Sequence, residues 1–259
     1  MYPGLAARWG LEAARLAAAG LAAPTGAIGG EFGLLAAHTG ARPATWPGEV
    51  LPADLLEGDP LFLDTAIKSY PCCYYSQVFL DATAEAAGGL PPRAVAEVVC
   101  EGPGEMLEVL FSPAAERRRP TDTYDAKFSL PFQVGTLLVA GGVTFESFTS
   151  ARLGEPDILA AADRVVARPT DALGRFPAAM AGRVTIRTED GLARSVTLGS
   201  SIGAARWDLG SAFIAARLRR DLGAGGARLI DALADPDRPV ADMLKVLAEL
   251  AAAPTDLQR

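Results

Sequence analysis

The stretch from Asp64 to Ala82 changes its periodicity at a proline, and that change calls for a strand feeding into a helix. Before the break, Thr65, Ile67 and Ser69 alternate with Ala66, Lys68 and Tyr70 at the two-residue period of a strand. After it, Tyr75, Val78, Phe79 and Ala82 fall at helical spacing, and Gly88 and Gly89 stop the helix. Pro71 suits a first helical turn, where a nitrogen needs no proton to give and φ is already helical. Lys68 is thus expected just upstream of a helix N-terminus. Free amides and aligned peptide dipoles attract anions there, and an ammonium adds a full positive charge. The arrangement suits a carboxylate.

Composition removes several alternatives. A chain of 259 residues, half of them apolar, can bury a real core as one large or two modest domains. A net charge of −7 argues against nucleic acid as a partner, because counterion release needs a basic face. No segment has the uncharged apolar length of a membrane span, and charges interrupt the N-terminal residues where a signal peptide needs its apolar core. A cytoplasmic protein without a membrane partner is expected. Three cysteines, two of them adjacent, form neither a disulfide framework nor a zinc pattern, and no metal is expected. With His38 as the single histidine, acid and base chemistry falls mainly to Lys, Tyr, Cys, Asp or Glu.

In chain order, residues 4–22 predict an alanine-rich helix ended by Pro24, and 28–38 a second helix. Residues 40–60, with four prolines and little periodicity, read as a connection. Strands are expected at 94–100 and 106–111, a solvated turn at Arg117, Arg118 and Arg119, and helices at 130–140 and 156–166. Residues 183–188 and 194–198 form a hairpin across Glu189, Asp190 and Gly191. The C-terminal part is helical again, with Ser211 as a cap and a later helix started by Asp237 and Pro239.

Lysine is scarce, three of 24 basic residues, so Lys68 stands where this chain normally writes arginine. Lysine is a compact charge whose pKa burial can move; the plainer alternative is an exposed charge at a strand end. Cys72 and Cys73 fall in the expected first turn, where a dipole lowers a thiol pKa, or else serve as small buried hydrophobes. Ser129 suits an N-cap for 130–140, and Lys127 two residues upstream repeats the lysine-plus-amide arrangement. Two such ends facing one cleft would hold a di- or tricarboxylate. His38, at a helix end, suits a donor to C-terminal carbonyls. Tyr70, Tyr74 and Tyr75 offer hydroxyls near Lys68, or pack half-buried.

Three motifs resemble one family. Ile-Lys-Ser-Tyr-Pro-Cys-Cys at 67–73 resembles the Ile-Lys-Pro-Tyr-Pro-Cys-Cys box of MmgE/PrpD proteins, a group that includes 2-methylcitrate dehydratase, cis-aconitate decarboxylase and iminodisuccinate epimerase. Residues 125–134, Asp-Ala-Lys-Phe-Ser-Leu-Pro-Phe-Gln-Val, resemble its next signature, and the 182–191 hairpin its late strand pair. The resemblance implies an α+β fold: helical segments at 1–58 and 201–259 belonging to an all-α domain, around a mixed domain at 59–200. It implies that Lys68 binds or protonates the acid, that Lys127, Ser129, Gln77, Cys73, Tyr70, Tyr74 and Phe132 surround the substrate, and that no cofactor is needed. The departures matter too. Cys73 stands where the decarboxylase branch has a catalytic histidine, Phe132 where it has a tyrosine, and Gln77 where many members have a histidine. The Asp-Phe-Asp-Asp-x-His type motif of the family's earlier helices is not found in this sequence. The expected function is a lyase- or isomerase-type enzyme, or a subunit of one, acting on a small carboxylic acid as dehydratase or decarboxylase. A homo-oligomer, or a hetero-oligomer with an N-terminal-half chain, would supply the missing base. Two alternatives stay open: a non-catalytic half serving as a partner subunit, and a repurposed member of a specialised biosynthetic pathway.

Overall fold

A computed structural model describes residues 2–40, 66–203, 210–235 and 237–252. The chain divides into two compact units, Met1–Leu61 and Phe62–Arg259. The connection expected at 40–60 lies, beyond Gly40, outside the described residues.

In the first unit, α1 spans Tyr2–Ala18 and α2 spans Leu34–Thr39. The first helix ends before Pro24, because Gly20 takes a positive φ of 95°. The second is much shorter than expected. Gly26, Gly29, Gly30 and Gly33 each weaken a helix, and residues 25–33 form turns instead. His38 Nδ1 lies 2.8 Å from the Leu34 carbonyl, the terminal role expected of it.

The second unit is α+β. After α3 (Gln77–Ala87) come β1 (Val95–Gly102), α4 (Gly104–Phe111), α5 (Ala114–Arg118), α6 (Leu130–Ala140), α7 (Ser150–Leu153) and α8 (Pro156–Asp163). Then β2 (Val165–Pro169), β3 (Gly182–Thr188), β4 (Ala193–Leu198), α9 (Gly210–Leu222), α10 (Ala224–Leu233) and α11 (Val240–Ala252) follow. The four strands form one mixed sheet in the order β2-β1-β3-β4. β1 runs parallel to β2, pairing Val98 with Val165 and Cys100 with Ala167, and antiparallel to β3, pairing Val98 with Ile186 and Cys100 with Val184. Along β3, Gly182, Val184, Ile186 and Thr188 are buried while the residues between them face outward, the two-residue alternation of a sheet with one covered face.

Helix α3 covers that sheet, and glycine sets how closely. A Cβ at Gly182 would stand 3.0 Å from both Val78 and the Phe79 ring, and one at Gly102 would stand 2.9 Å from the same ring. Phe79, with no exposed surface, therefore beds directly on two strand backbones. The core continues through Leu80, Met106, Leu110, Leu130, Phe132, Ile158 and Ile186.

Three sequence expectations fail here for local reasons. Residues 106–111 are helical, because Met106, Leu107 and Leu110 are buried while Glu105, Glu108 and Val109 face out, a helical period. The helix expected over 156–166 stops at Asp163, and Val165 starts a strand. Arg164 turns the chain by donating to the Pro92 and Val95 carbonyls (3.2 and 2.7 Å) while its own carbonyl accepts from Val98 (2.9 Å). The arginine run is no solvated turn. Arg117 and Arg118 lie on α5 and all three arginines have partners, as described below.

Candidate functional site

The strand expected before Pro71 is absent from the described part of that stretch. Residues 66–68 are irregular, 69–72 bend, 74–76 form a 3-10 turn, and α3 begins only at Gln77. Lys68 is thus separated from the helix N-terminus by a loop, which corrects the helix-end site expected from the sequence. The cause is Gln77, wholly buried at the head of α3. Its Oε1 accepts from the Tyr70 N–H (2.9 Å), and its Nε2 donates to the carbonyls of Tyr70 and Cys73 (both 3.1 Å) and to Cys72 Sγ (3.4 Å). A side-chain amide that supplies these partners lets the loop backbone be buried without becoming helix.

The second motif forms as expected at its helix start. Asp125–Phe128 make a 3-10 turn, and the Ser129 hydroxyl caps α6 by accepting from the Phe132 N–H (3.1 Å). The same hydroxyl donates to the Arg117 carbonyl. Arg117 pairs with Asp125 and donates from Nε to the Ser112 carbonyl (3.2 Å). Arg118 donates to the Val165 carbonyl (3.0 Å) and lies 5.1 Å over the Phe111 ring, and Arg119 meets Asp163 at 2.6 Å. The arginine run therefore braces the second motif against β2 and α8.

One hydrogen bond joins the two motifs. The Cys73 N–H donates to the Lys127 carbonyl at 2.9 Å, so the loop after Lys68 and the turn before Ser129 share a backbone contact. Lys127 Nζ lies 5.9 Å from the Phe148 ring, which in turn packs 6.5 Å from buried Phe132. Among the described residues, neither Lys68, which is exposed, nor Lys127, which is half-buried, has a carboxylate partner. Lys245 does, with Asp242 at 2.8 Å.

The residues singled out by sequence separate into two groups. Gln77, Ser129 and Phe132 are fully buried and already bonded or packed. Lys68, Cys73, Tyr74 and Lys127 keep accessible surface. Burial pushes the Cys72 thiol up to about 12, with neighbouring Cys73 adding to the rise and Lys68 opposing it. That is opposite to the lowering expected from a helix end, and Cys72 behaves as a buried apolar residue. Tyr75 packs edge-on against Phe176, with centroids 5.3 Å apart.

Sequence reasoning missed the wall behind this loop. A recess of about 270 Å³ is lined by Ser69, Tyr70, Asp81, Ile202, Arg217 and Arg220, together with Ala216. Asp81 accepts from the Ile202 N–H (2.8 Å), and Tyr70 lines the recess beside it. Burial raises its pKa above the usual aspartate value, with the Ile202 bond and the neighbouring Tyr70 resisting. Tyr70 is raised too, first by burial and then by the Asp81 charge. Arg220 Nη2 donates to the Ser69 carbonyl (2.8 Å), and nearly buried Asp221 holds both Arg220 (2.8 Å) and Arg217 (3.2 Å). A signal for Asp81 existed in the sequence: it is a carboxylate amid Val78, Phe79, Leu80 and Ala82 on a helix expected to be buried.

No group of His, Cys, Asp and Glu side chains among the described residues could hold a metal ion, and no described helix is long and apolar enough to cross a membrane. No curated protein matches this chain. The family model for the MmgE/PrpD C-terminal domain matches residues 70–222, beginning two residues after Lys68 and taking in most of the first motif, all of the second and the 182–191 hairpin. That match spans more than half of the chain, which therefore belongs to the MmgE/PrpD family through its C-terminal domain.

Proposed function

We propose that this chain supplies the carboxylate-holding side of a lyase- or isomerase-type enzyme, which removes a proton next to the carboxylate of a small acid and so dehydrates or decarboxylates it. The family, with its dehydratase- and lyase-type enzymes, supports the class of reaction. The observation that carries the reading is the Cys73–Lys127 backbone bond: it ties together two loops that bear the two lysines without a carboxylate partner among the described residues. In a chain of net charge −7, an ammonium left without a counter-ion is available to an anionic ligand. Lys68 takes the carboxylate or the enolate-like charge that develops beside it, and Lys127 orients the far end. Cys73 and Tyr74 line the approach, and Tyr70, Gln77, Ser129 and Phe132 shape the loops from behind. Neither the Gln77 amide nor the Phe132 ring can act as an acid or base near neutral pH, so the general base comes from a second chain, either another copy or an N-terminal-half subunit. Three free thiols suit a reducing compartment, the cytoplasm.

A second reading, a partner subunit without chemistry of its own, draws on α11. There Val240, Leu244 and Leu247 lie on one face and are 64%, 56% and 41% exposed. One experiment tests both. The chain is expressed with an N-terminal-half MmgE/PrpD subunit and assayed against a panel of small hydroxy- and tricarboxylic acids. The enzyme reading expects turnover that falls at least about tenfold in Lys68→Ala, the loss of one charge-assisted contact. Unchanged turnover in that variant removes Lys68 from the mechanism, and a stable, inert complex favours the partner reading.

A further inference from the structure

The segment that carries Lys68 is fastened on both sides of it. Ile67 donates its N–H to the Gly203 carbonyl at 2.8 Å, where the backbones come so close that a Cβ on Gly203 would lie 1.7 Å from the Ile67 oxygen. Ser69, 8% exposed, gives its carbonyl to Arg220 at 2.8 Å, and Asp221 fixes that guanidinium in turn. Tyr70 shares one recess with Asp81, 4% exposed, whose carboxylate receives the Ile202 N–H at 2.8 Å. Lys68 is the exposed residue between these fastenings. A lysine on loose coil would lose backbone freedom on meeting a ligand, whereas this backbone is ordered by folding.

We propose that Arg220 and Asp81 are positioning residues for Lys68: they clamp 67–70 against residues 201–203 and α9, so that the ammonium is presented from a fixed backbone. Neither residue belongs to either sequence motif. The inference rests on the reading that Lys68 holds a substrate carboxylate, but the clamp itself can be measured with no ligand present.

The test uses the full chain. Its three lysines are converted to ¹³C-dimethyl-lysines, giving three signals assigned by single Lys→Arg variants. Arg220→Ala and Asp81→Ala are each expected to speed exchange of the Ile67 and Tyr70 amide protons by about tenfold to a hundredfold, the loss of one hydrogen bond to a charged group. The Lys68 signal narrows, and those of Lys127 and Lys245 stay. Arg220→Lys, which keeps a donor for the Ser69 carbonyl, restores most of the protection; a general loss of stability would not be repaired this way. Unchanged amide exchange in both alanine variants overturns the proposal, as does equal narrowing at all three lysines. Citrate is then added to the wild-type chain as a separate arm. Loosening by the variants without a citrate-induced shift at Lys68 upholds the clamp and overturns the carboxylate reading, and the converse separates them the other way.

Discussion

Replacing Gln77 removes the internal partner of the Lys68 loop, and the structure sets the size of the effect. Gln77→Leu keeps much of the volume but leaves the Tyr70 N–H and the carbonyls of Tyr70 and Cys73 without their partner. Full burial would cost about 1–3 kcal/mol for each orphaned group. Tyr70 and Cys73 are only half-buried, so water reaches part of the way and the low end applies, about 3 kcal/mol in all. That is a large share of the roughly 5–15 kcal/mol that holds a domain together. Gln77→Glu is more informative. Its carboxylate can still accept from Tyr70, but when ionised it has no proton for the two carbonyls, so burial raises its folded-state pKa. A raised carboxylate contributes stability below its unfolded value of about 4.3 and loses that contribution as pH rises through the folded value. Urea unfolding followed by far-UV circular dichroism, at neutral pH and near pH 5, measures both variants. The expected result is a lowered midpoint with unchanged m for Gln77→Leu, and a loss for Gln77→Glu that is smaller in acid. A change within about 0.5 kcal/mol for Gln77→Leu, the size of a neutral surface substitution, would refute the reasoning.

Other consequences follow from the same geometry. Burial raises Cys72 and Cys100 to about 12, so at pH 8 only about one in ten thousand of either is thiolate; a thiol reagent should titrate Cys73 alone in the native chain and all three cysteines in urea. Ser129→Ala loses the α6 cap and the bond to the Arg117 carbonyl, and thermal unfolding should report a loss of about 1–2 kcal/mol, whereas Ser129→Thr should recover part of it. Burial raises Asp81 above its ordinary value, so its stabilising contribution is present below about pH 3.9 and is lost as pH rises through the raised value. Asp81→Asn should flatten that part of the stability-versus-pH curve, and a curve unchanged in shape would contradict the assignment.

The parts of the fold that the sequence announced are those settled by neighbours in the chain. Ser129 and Pro131 mark the start of α6, and Asp190 and Gly191 mark the β3–β4 turn, because caps and tight turns are local chemistry. The loop after Lys68 was misread for the opposite reason. Pro71 reads as a helix start in any short window, and only the buried Gln77 amide, reaching back to Tyr70, explains why the chain bends instead. The arginine run was misread because each partner is distant in sequence or hidden in a fold: Asp125, the Val165 carbonyl and Asp163. In the candidate site, the motifs gave Lys68 and Lys127 but not their relation. That relation is one backbone bond between Cys73 and Lys127, and main-chain contacts leave no trace in residue identity. Arg220 was invisible as well, since its bond is to a carbonyl and its own helix reads as an ordinary surface helix.

In the proposed site two ammonium groups serve one ligand, and citrate affinity at low ionic strength tests that directly in the wild-type chain and in Lys68→Ala, Lys127→Ala and Lys245→Ala. Lys68→Ala and Lys127→Ala should each weaken citrate at least about tenfold, one charge-assisted contact apiece, while Lys245→Ala, already paired with Asp242, should bind as the wild type does. Equal weakening by all three substitutions, or none by the first two, would contradict it.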